Sequence, residues 1–171
     1  MLTKTDIEKY FFAEKQESLL FMIIGVVAIL LAITFYFSLK NNFYKGAAIP
    51  LLAIGLIQTV VGYTVYARSD KQRIDNVYAF DMNPGKLKNE ELPRMKTVYK
   101  NFVIYRWIEI ALLIVGVALI FYYKDNCAIS FLFGIGITLA IQSAFMLGAD
   151  YFAEKRAKVY TEQLENFAQK K

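Results

Sequence analysis

Three stretches of this chain run for 22 or 23 positions without a charged residue: Ser18 to Leu39, Gly46 to Ala67 and Cys127 to Ala149. About 20 consecutive apolar residues cross a hydrocarbon core of roughly 30 Å as a helix. Inside lipid each backbone amide needs an internal partner, which a helix supplies within one segment. A fourth run, Ile110 to Tyr123, is bounded by Glu109 and Lys124 and has only 14 residues. At 1.5 Å per residue it covers about 21 Å. It spans a bilayer only by reaching back to about residue 104, which takes Arg106 and Glu109 below the surface. The expected fold is an all-α integral membrane protein, an antiparallel up-down-up-down four-helix bundle forming one membrane domain over 1–171. Helices are expected at about 6–39, 46–80, 90–123 and 127–168, with transmembrane parts at about 18–39, 46–67, 104–123 and 127–149.

Hydrophobic residues make up 57% of the chain, above the roughly 45–50% of soluble domains. A soluble bundle with four such runs would keep almost no polar surface. The first run follows 17 residues carrying four acids, and it is too long for the 7–15-residue core of a signal peptide. It is therefore expected to be retained as a span. Lys and Arg gather on one side of the expected bilayer: three precede the first span, nine lie from Arg68 to Arg106, and five follow the fourth span. The other two loops hold Lys40, Lys45 and Lys124. Cytoplasmic loops carry the excess of basic residues, so both termini and the central segment are expected in the cytoplasm, with the protein in a plasma or inner membrane.

The polar segments also read as helix. Thr5, Asp6, Ile7 and Glu8 have the form of a capping box, in which Thr and Glu side chains satisfy free amides. Asn83, Pro84 and Gly85 form a stop signal. Pro93 is expected in the first turn of the third helix, where its missing N–H costs little. Apolar residues recur at helical spacing in each polar extension, at about 6–17, 67–80, 90–102 and 151–168. The extensions are expected to pack together and continue the bundle beyond the lipid. The two halves of the chain look alike: Ala48-Ile49 and Ala128-Ile129 open the second span of each pair, and those spans carry Gln58 and Gln142.

Helices in lipid associate through close packing and interhelical hydrogen bonds. Gly136, Ala140, Ala144 and Gly148 recur at four-residue intervals in the fourth span, and Gly55 with Thr59 gives a shorter row in the second. Both rows are expected to let another backbone approach. Glu109 is the one acid well inside an apolar span. Arg106 one turn earlier, Tyr63 and Thr64 on the second span, and Gln142 and Ser143 on the fourth are its expected neighbours. Such a cluster serves either as a proton or cation site or as a hydrogen-bond network that fixes packing. Asp150 is expected at the interface.

The chain holds no histidine and one cysteine, Cys127. The usual zinc ligand sets and an intrachain disulfide are excluded, and no phosphate-binding or nucleophile motif is present. No cofactor and no metal are expected. The polar side carries 17 basic and 13 acidic residues, unlike the basic stripe of a nucleic-acid binder. The expected function is that of a small non-enzymatic multi-pass membrane protein. Besides the lipid bilayer, its partners would be a second protein or further copies of itself, as an accessory, regulatory or immunity-type subunit. The alternative is a small oligomeric transporter or channel subunit that uses Glu109.

Overall fold

The computed structural model describes residues 2–39, 41–125 and 130–170. Among these, four long helices form an up-and-down bundle: α1 (Lys4–Phe37), α2 (Asn42–Met82), α3 (Pro84–Tyr123) and α4 (Ser130–Lys170). Each is long and apolar enough to cross a membrane.

The ends show why the helices fall where they do. Thr3 caps α1: its hydroxyl accepts from the Asp6 amide at 3.2 Å, and the Asp6 carboxylate accepts from the Thr3 amide at 2.9 Å. The capping box therefore sits two residues earlier than the Thr5–Glu8 reading, because Asp6 reaches back as well as Glu would. Asn41 caps α2 through the Phe43 amide at 3.0 Å, so α2 begins at Asn42 and carries Pro50 within its length. Asn83 alone separates α2 from α3, with Pro84 opening the next helix. Pro93 lacks the N–H that would bond one turn back. Just before it, Leu87–Glu91 is a single widened π turn in which the Leu92 amide reaches the Leu87 carbonyl. The third helix thus starts before the expected residue 90. The expected start of the fourth helix at residue 127 lies outside the described residues.

Two hairpins make up the bundle. The α1 and α2 helices pack along their length, as do α3 and α4, and the parallel pair α2 and α4 joins them. The joint is reciprocal. A Cβ on Gly46 would sit 1.9 Å from the Phe131 carbonyl oxygen, and one on Gly134 would sit 2.1 Å from the Phe43 carbonyl oxygen. The hairpins are therefore related by an approximate twofold axis between α2 and α4. It matches Gly46 with Gly134, Gly55 with Ser143 and Asn76 with Leu164, all buried. On the outer helices it matches Phe11 with Met95, Gly25 with Glu109 and Ala32 with Gly116, again all buried. Gln58 and Gln142 do not correspond, and Ala128-Ile129 lies outside the described residues. The likeness between the halves holds in a register that residue identity did not reveal.

Each half of the bundle has its own kind of interior. At the polar end, large side chains close the core: Ile7, Tyr10 and Phe11 from α1, Leu87 and Met95 from α3, and Tyr160 and Leu164 from α4. Tyr10 stacks on Tyr160 with ring centroids 4.3 Å apart. Burying each such group away from water contributes about 1.5–3 kcal/mol. In the apolar half most buried positions are small, including Gly25, Ala28, Ala32, Ala47, Gly55 and Gly62, with Ile54 and Gln58 among the larger exceptions. Large residues such as Leu30, Val60, Ile114 and Phe121 face outward. Where lipid supplies the surroundings, close backbone approach replaces hydrophobic burial as the means of association.

Candidate functional site

Glu109 is 2% exposed in the contact between α3 and α4. The register there is set on both sides. Toward the polar end, Arg106 of α3 donates to both carboxylate oxygens of Glu154 on α4 at 3.0 Å. Toward the apolar end, a Cβ on Gly116 would lie 2.7 Å from the Ala140 amide. Between these contacts the Glu109 carboxyl meets the carboxyl of Asp150, within hydrogen-bonding reach. No donor from the described residues reaches either oxygen of Glu109. In the first hairpin the two matching positions are Gly25 and Gly62. Gly25 packs on Gly55 and Thr59, and Gly62 packs on Ser18 and Met22.

The neighbours expected from the sequence are dispersed. Arg106 is taken by Glu154 instead of Glu109, because an antiparallel partner offers a straighter reach than the same helix. Tyr63 is 63% exposed and Thr64 faces outward, its hydroxyl bonded to the Val60 carbonyl at 2.7 Å; both lie on the side of α2 away from α3. Gln142 and Ser143 are buried, but stand eight and seven residues from Asp150, roughly 10–12 Å along α4. Gln58 is also buried, about one turn from them on α2. Gln58 Oε1, Gln142 Oε1 and Ser143 Oγ accept or donate no hydrogen bond among the described residues. The small-residue row of α4 divides as well. Gly136 and Ala140 pack on α3, whereas Ala144 is exposed and Gly148 has nothing near it. On α2, Gly55 packs on Gly25 and Ala28, and the Thr59 hydroxyl bonds the Gly55 carbonyl at 2.8 Å. Asp150 is the member that sequence reasoning missed. Its signal was its position as the acid that ends the fourth apolar run.

The polar half is cross-linked by charge. Lys15 pairs with Asp70, Lys4 with Asp81 and Arg156 with Glu17, tying α1 to α2 and to α4. The Glu91 carboxylate accepts two bonds from Arg94, at 2.7 and 2.8 Å. Burial opposes the Arg94 charge, but those bonds outweigh it and raise the group above its ordinary value. Burial pushes the Tyr10 phenol well above its usual range, and the Glu14 charge adds to this; the phenol stays neutral and donates to Glu14 at 3.2 Å. Ser69 of α2 reaches the other Glu14 oxygen, also at 3.2 Å.

Between α1 and α4 the polar half opens into a surface groove of about 460 Å³. Tyr10 and Val159 line it, Phe152 stands at its end nearer the apolar half, and Lys9 and Lys155 flank it. Phe152 and Val159 are 65% and 49% exposed. Neither Lys9 nor Lys155 forms an ion pair among the described residues. No set of three or more metal-ligating side chains occurs among the described residues.

No protein-family model matches the chain, and no curated protein or solved structure is significantly similar to it. The class that the fold defines is a four-helix bundle with four candidate membrane spans.

Proposed function

We propose that this is a small non-enzymatic multi-pass membrane protein that works by binding another protein through its polar half, as an accessory, regulatory or immunity-type subunit. The polar half faces the cytoplasm of a plasma or inner membrane in this reading, supported by the 17 to 3 split of basic residues. The observation that carries the reading is the groove between α1 and α4. Apolar side chains exposed in the apolar half meet lipid, but Phe152 and Val159 lie past the span. Aromatic and aliphatic groups grouped there and rimmed by polar residues mark an interaction surface. Lys9 and Lys155 form no ion pair among the described residues, so the complementary ligand is an amphipathic helix with an apolar stripe and flanking acids. A photo-reactive residue in place of Val159 tests this in cells. It should form an adduct with an acid-bearing protein segment, and Lys9→Glu with Lys155→Glu should abolish the adduct while leaving the fold intact. Adducts with lipid alone would end the reading.

A second reading, a small oligomeric transporter or channel subunit, is favoured by one observation. Glu109, Gln58, Gln142 and Ser143 place unsatisfied polar atoms along the interior of the apolar half. Reconstitution in liposomes separates the two. The association reading expects the same proton and cation leak from wild type, Glu109→Gln and empty vesicles. A wild-type flux lost in Glu109→Gln would select the transporter.

A further inference from the structure

We infer that Glu109 and Asp150 hold one proton between them, forming a proton-binding carboxyl pair at the edge of the apolar half. The inference is independent of the partner reading. Two carboxyl groups face each other across α3 and α4, and the helices cannot slide to part them. The Arg106–Glu154 pair holds the register one turn toward the polar end, and the Gly116–Ala140 contact holds it on the other side.

The surroundings leave few ways to satisfy the pair. Glu109 is only 2% exposed, and neither of its oxygens meets a donor among the described residues. A carboxylate so placed is costly unless it is paired or neutralised. The nearby cations are engaged: Arg106 by Glu154, and Arg156 by Glu17 of α1. The other charges facing Asp150 are those same two acids, Glu17 and Glu154. On α2 the corresponding level is Gly62, and Tyr66 and Asp70 further along are both engaged by Lys15. Among the described residues no group of three or more His, Cys, Asp or Glu side chains is placed to hold a metal ion. One shared proton resolves the site. It turns two repelling carboxylates into a charge-assisted O–H···O bond, with Asp150, only half-buried, as the member nearer water.

The first hairpin adds an independent argument. Gly25 and Gly62 occupy the matching positions there, and α1 and α2 close tightly over them. Helix packing at this level therefore needs no polar side chain. The second hairpin carries an acid at both positions, facing each other, which points to a bound proton as what the pair is for.

Hydrophobic carbodiimides add only to a protonated carboxyl, so they report the proton directly. Full-length protein in mild detergent at pH 7 should be labelled on Glu109, as read by peptide mass spectrometry, and Glu109→Gln should not. Asp150→Asn should lower Glu109 labelling about tenfold at the same pH, because the new amide donates to the Glu109 carboxylate and the second negative charge that favoured a shared proton is gone. Infrared spectroscopy gives a readout that does not depend on reagent access. Wild type should show the carbonyl stretch of a protonated carboxylic acid at neutral pH, absent from Glu109→Gln and from Asp150→Asn. Absence of that band from wild type, or labelling equal in wild type and Asp150→Asn, would overturn the inference.

Discussion

Replacing Gly46 with alanine tests the joint between the hairpins. The added Cβ would lie 1.9 Å from the Phe131 carbonyl oxygen, whereas carbon and oxygen in close helix contacts sit about 3.3–3.6 Å apart. The obstacle is backbone, so α2 and α4 must separate by roughly 1.4 Å or more at this end. Overpacking of this kind costs about 1–3 kcal/mol, and the better helix propensity of alanine returns up to about 1 kcal/mol. Gly148→Ala is the control. Nothing lies within 4 Å of its added Cβ, so it should be neutral or stabilising by up to about 1 kcal/mol. The two variants should therefore differ by about 1–3 kcal/mol in reversible unfolding from mixed micelles, followed by Trp107 fluorescence and helix content. The twofold relation sharpens the prediction. Gly134→Ala meets the mirror obstacle at Phe43, and one separation of α2 from α4 relieves both. The double variant should thus cost clearly less than the sum of the singles. Gly46→Ala as stable as Gly148→Ala, or strict additivity of Gly46→Ala and Gly134→Ala, would refute the reciprocal joint.

Removal of large side chains should hurt only where water drives packing. Tyr160→Ala and Met95→Ala in the polar core should each cost about 2–5 kcal/mol in unfolding experiments, whereas Ile57→Ala, 57% exposed in the apolar half, should cost under about 0.5 kcal/mol. Thr3→Ala should cost about 1 kcal/mol by loss of the cap, measured as a lower thermal midpoint. The Thr3 hydroxyl bond holds the Asp6 carboxyl below its ordinary value of 3.8. Its contribution is fully present above that ordinary value and is lost as pH falls through the depressed one, so the acid limb of the stability profile should flatten in Thr3→Ala. Glu91→Gln should destabilise by about 3–5 kcal/mol, since it leaves the largely buried Arg94 charge without its carboxylate; a loss under about 1 kcal/mol in denaturant titration would show that the pair is solvated.

Much of the fold was legible because it follows from run lengths. Uncharged runs of 22 or 23 residues define helices whatever their neighbours, and Asn83-Pro84-Gly85 marks a turn by local chemistry alone. The apolar residues that recur at helical spacing in each polar extension anticipated the shared core that Phe11, Met95, Tyr160 and Leu164 form. Cap positions were off by a few residues because Thr3 and Thr5 both stand before an acid three residues on, and only Thr3 takes the cap. The site was less legible, for a geometric reason. Glu109 was evident as a buried acid, but its neighbours depend on how α3 and α4 are aligned. Counting back from a turn just after Lys124 puts Glu109 level with Gln142 and Ser143. The actual alignment, fixed by Gly116 on Ala140 and Arg106 on Glu154, shifts α4 by up to two turns and brings Asp150 opposite. Tyr63 and Thr64 turn outward on α2, because position along a helix does not say which way a side chain points.

The contrast between the hairpins bears on how such a site arises. In α1 and α2 the matching positions, Gly25 and Gly62, are glycines that each close on backbone of the facing helix. In α3 and α4 those positions are Glu109 and Asp150, and the close approach lies about two turns along α3, at Gly116, and about three to four turns along α4, at Ala140 and Gly136. A carboxyl pair needs more room than two hydrogens, so the α3–α4 contact must be tightest away from the acids and looser beside them. The Arg106–Glu154 bridge lies one turn from the acids toward the polar half. In such a hairpin a proton and a helix contact are coupled: adding charge to the pair strains the register, and locking the register favours the protonated form. Charge reversal of the bridge, Arg106→Glu with Glu154→Arg, keeps the lock but moves the cation from α3 to α4. If the coupling is through register, carbodiimide labelling of Glu109 should survive the swap and fall when Arg106→Gln breaks the lock; labelling that rises in both variants would show that the Arg106 charge itself sets the site, since a nearby cation favours the ionised carboxyl.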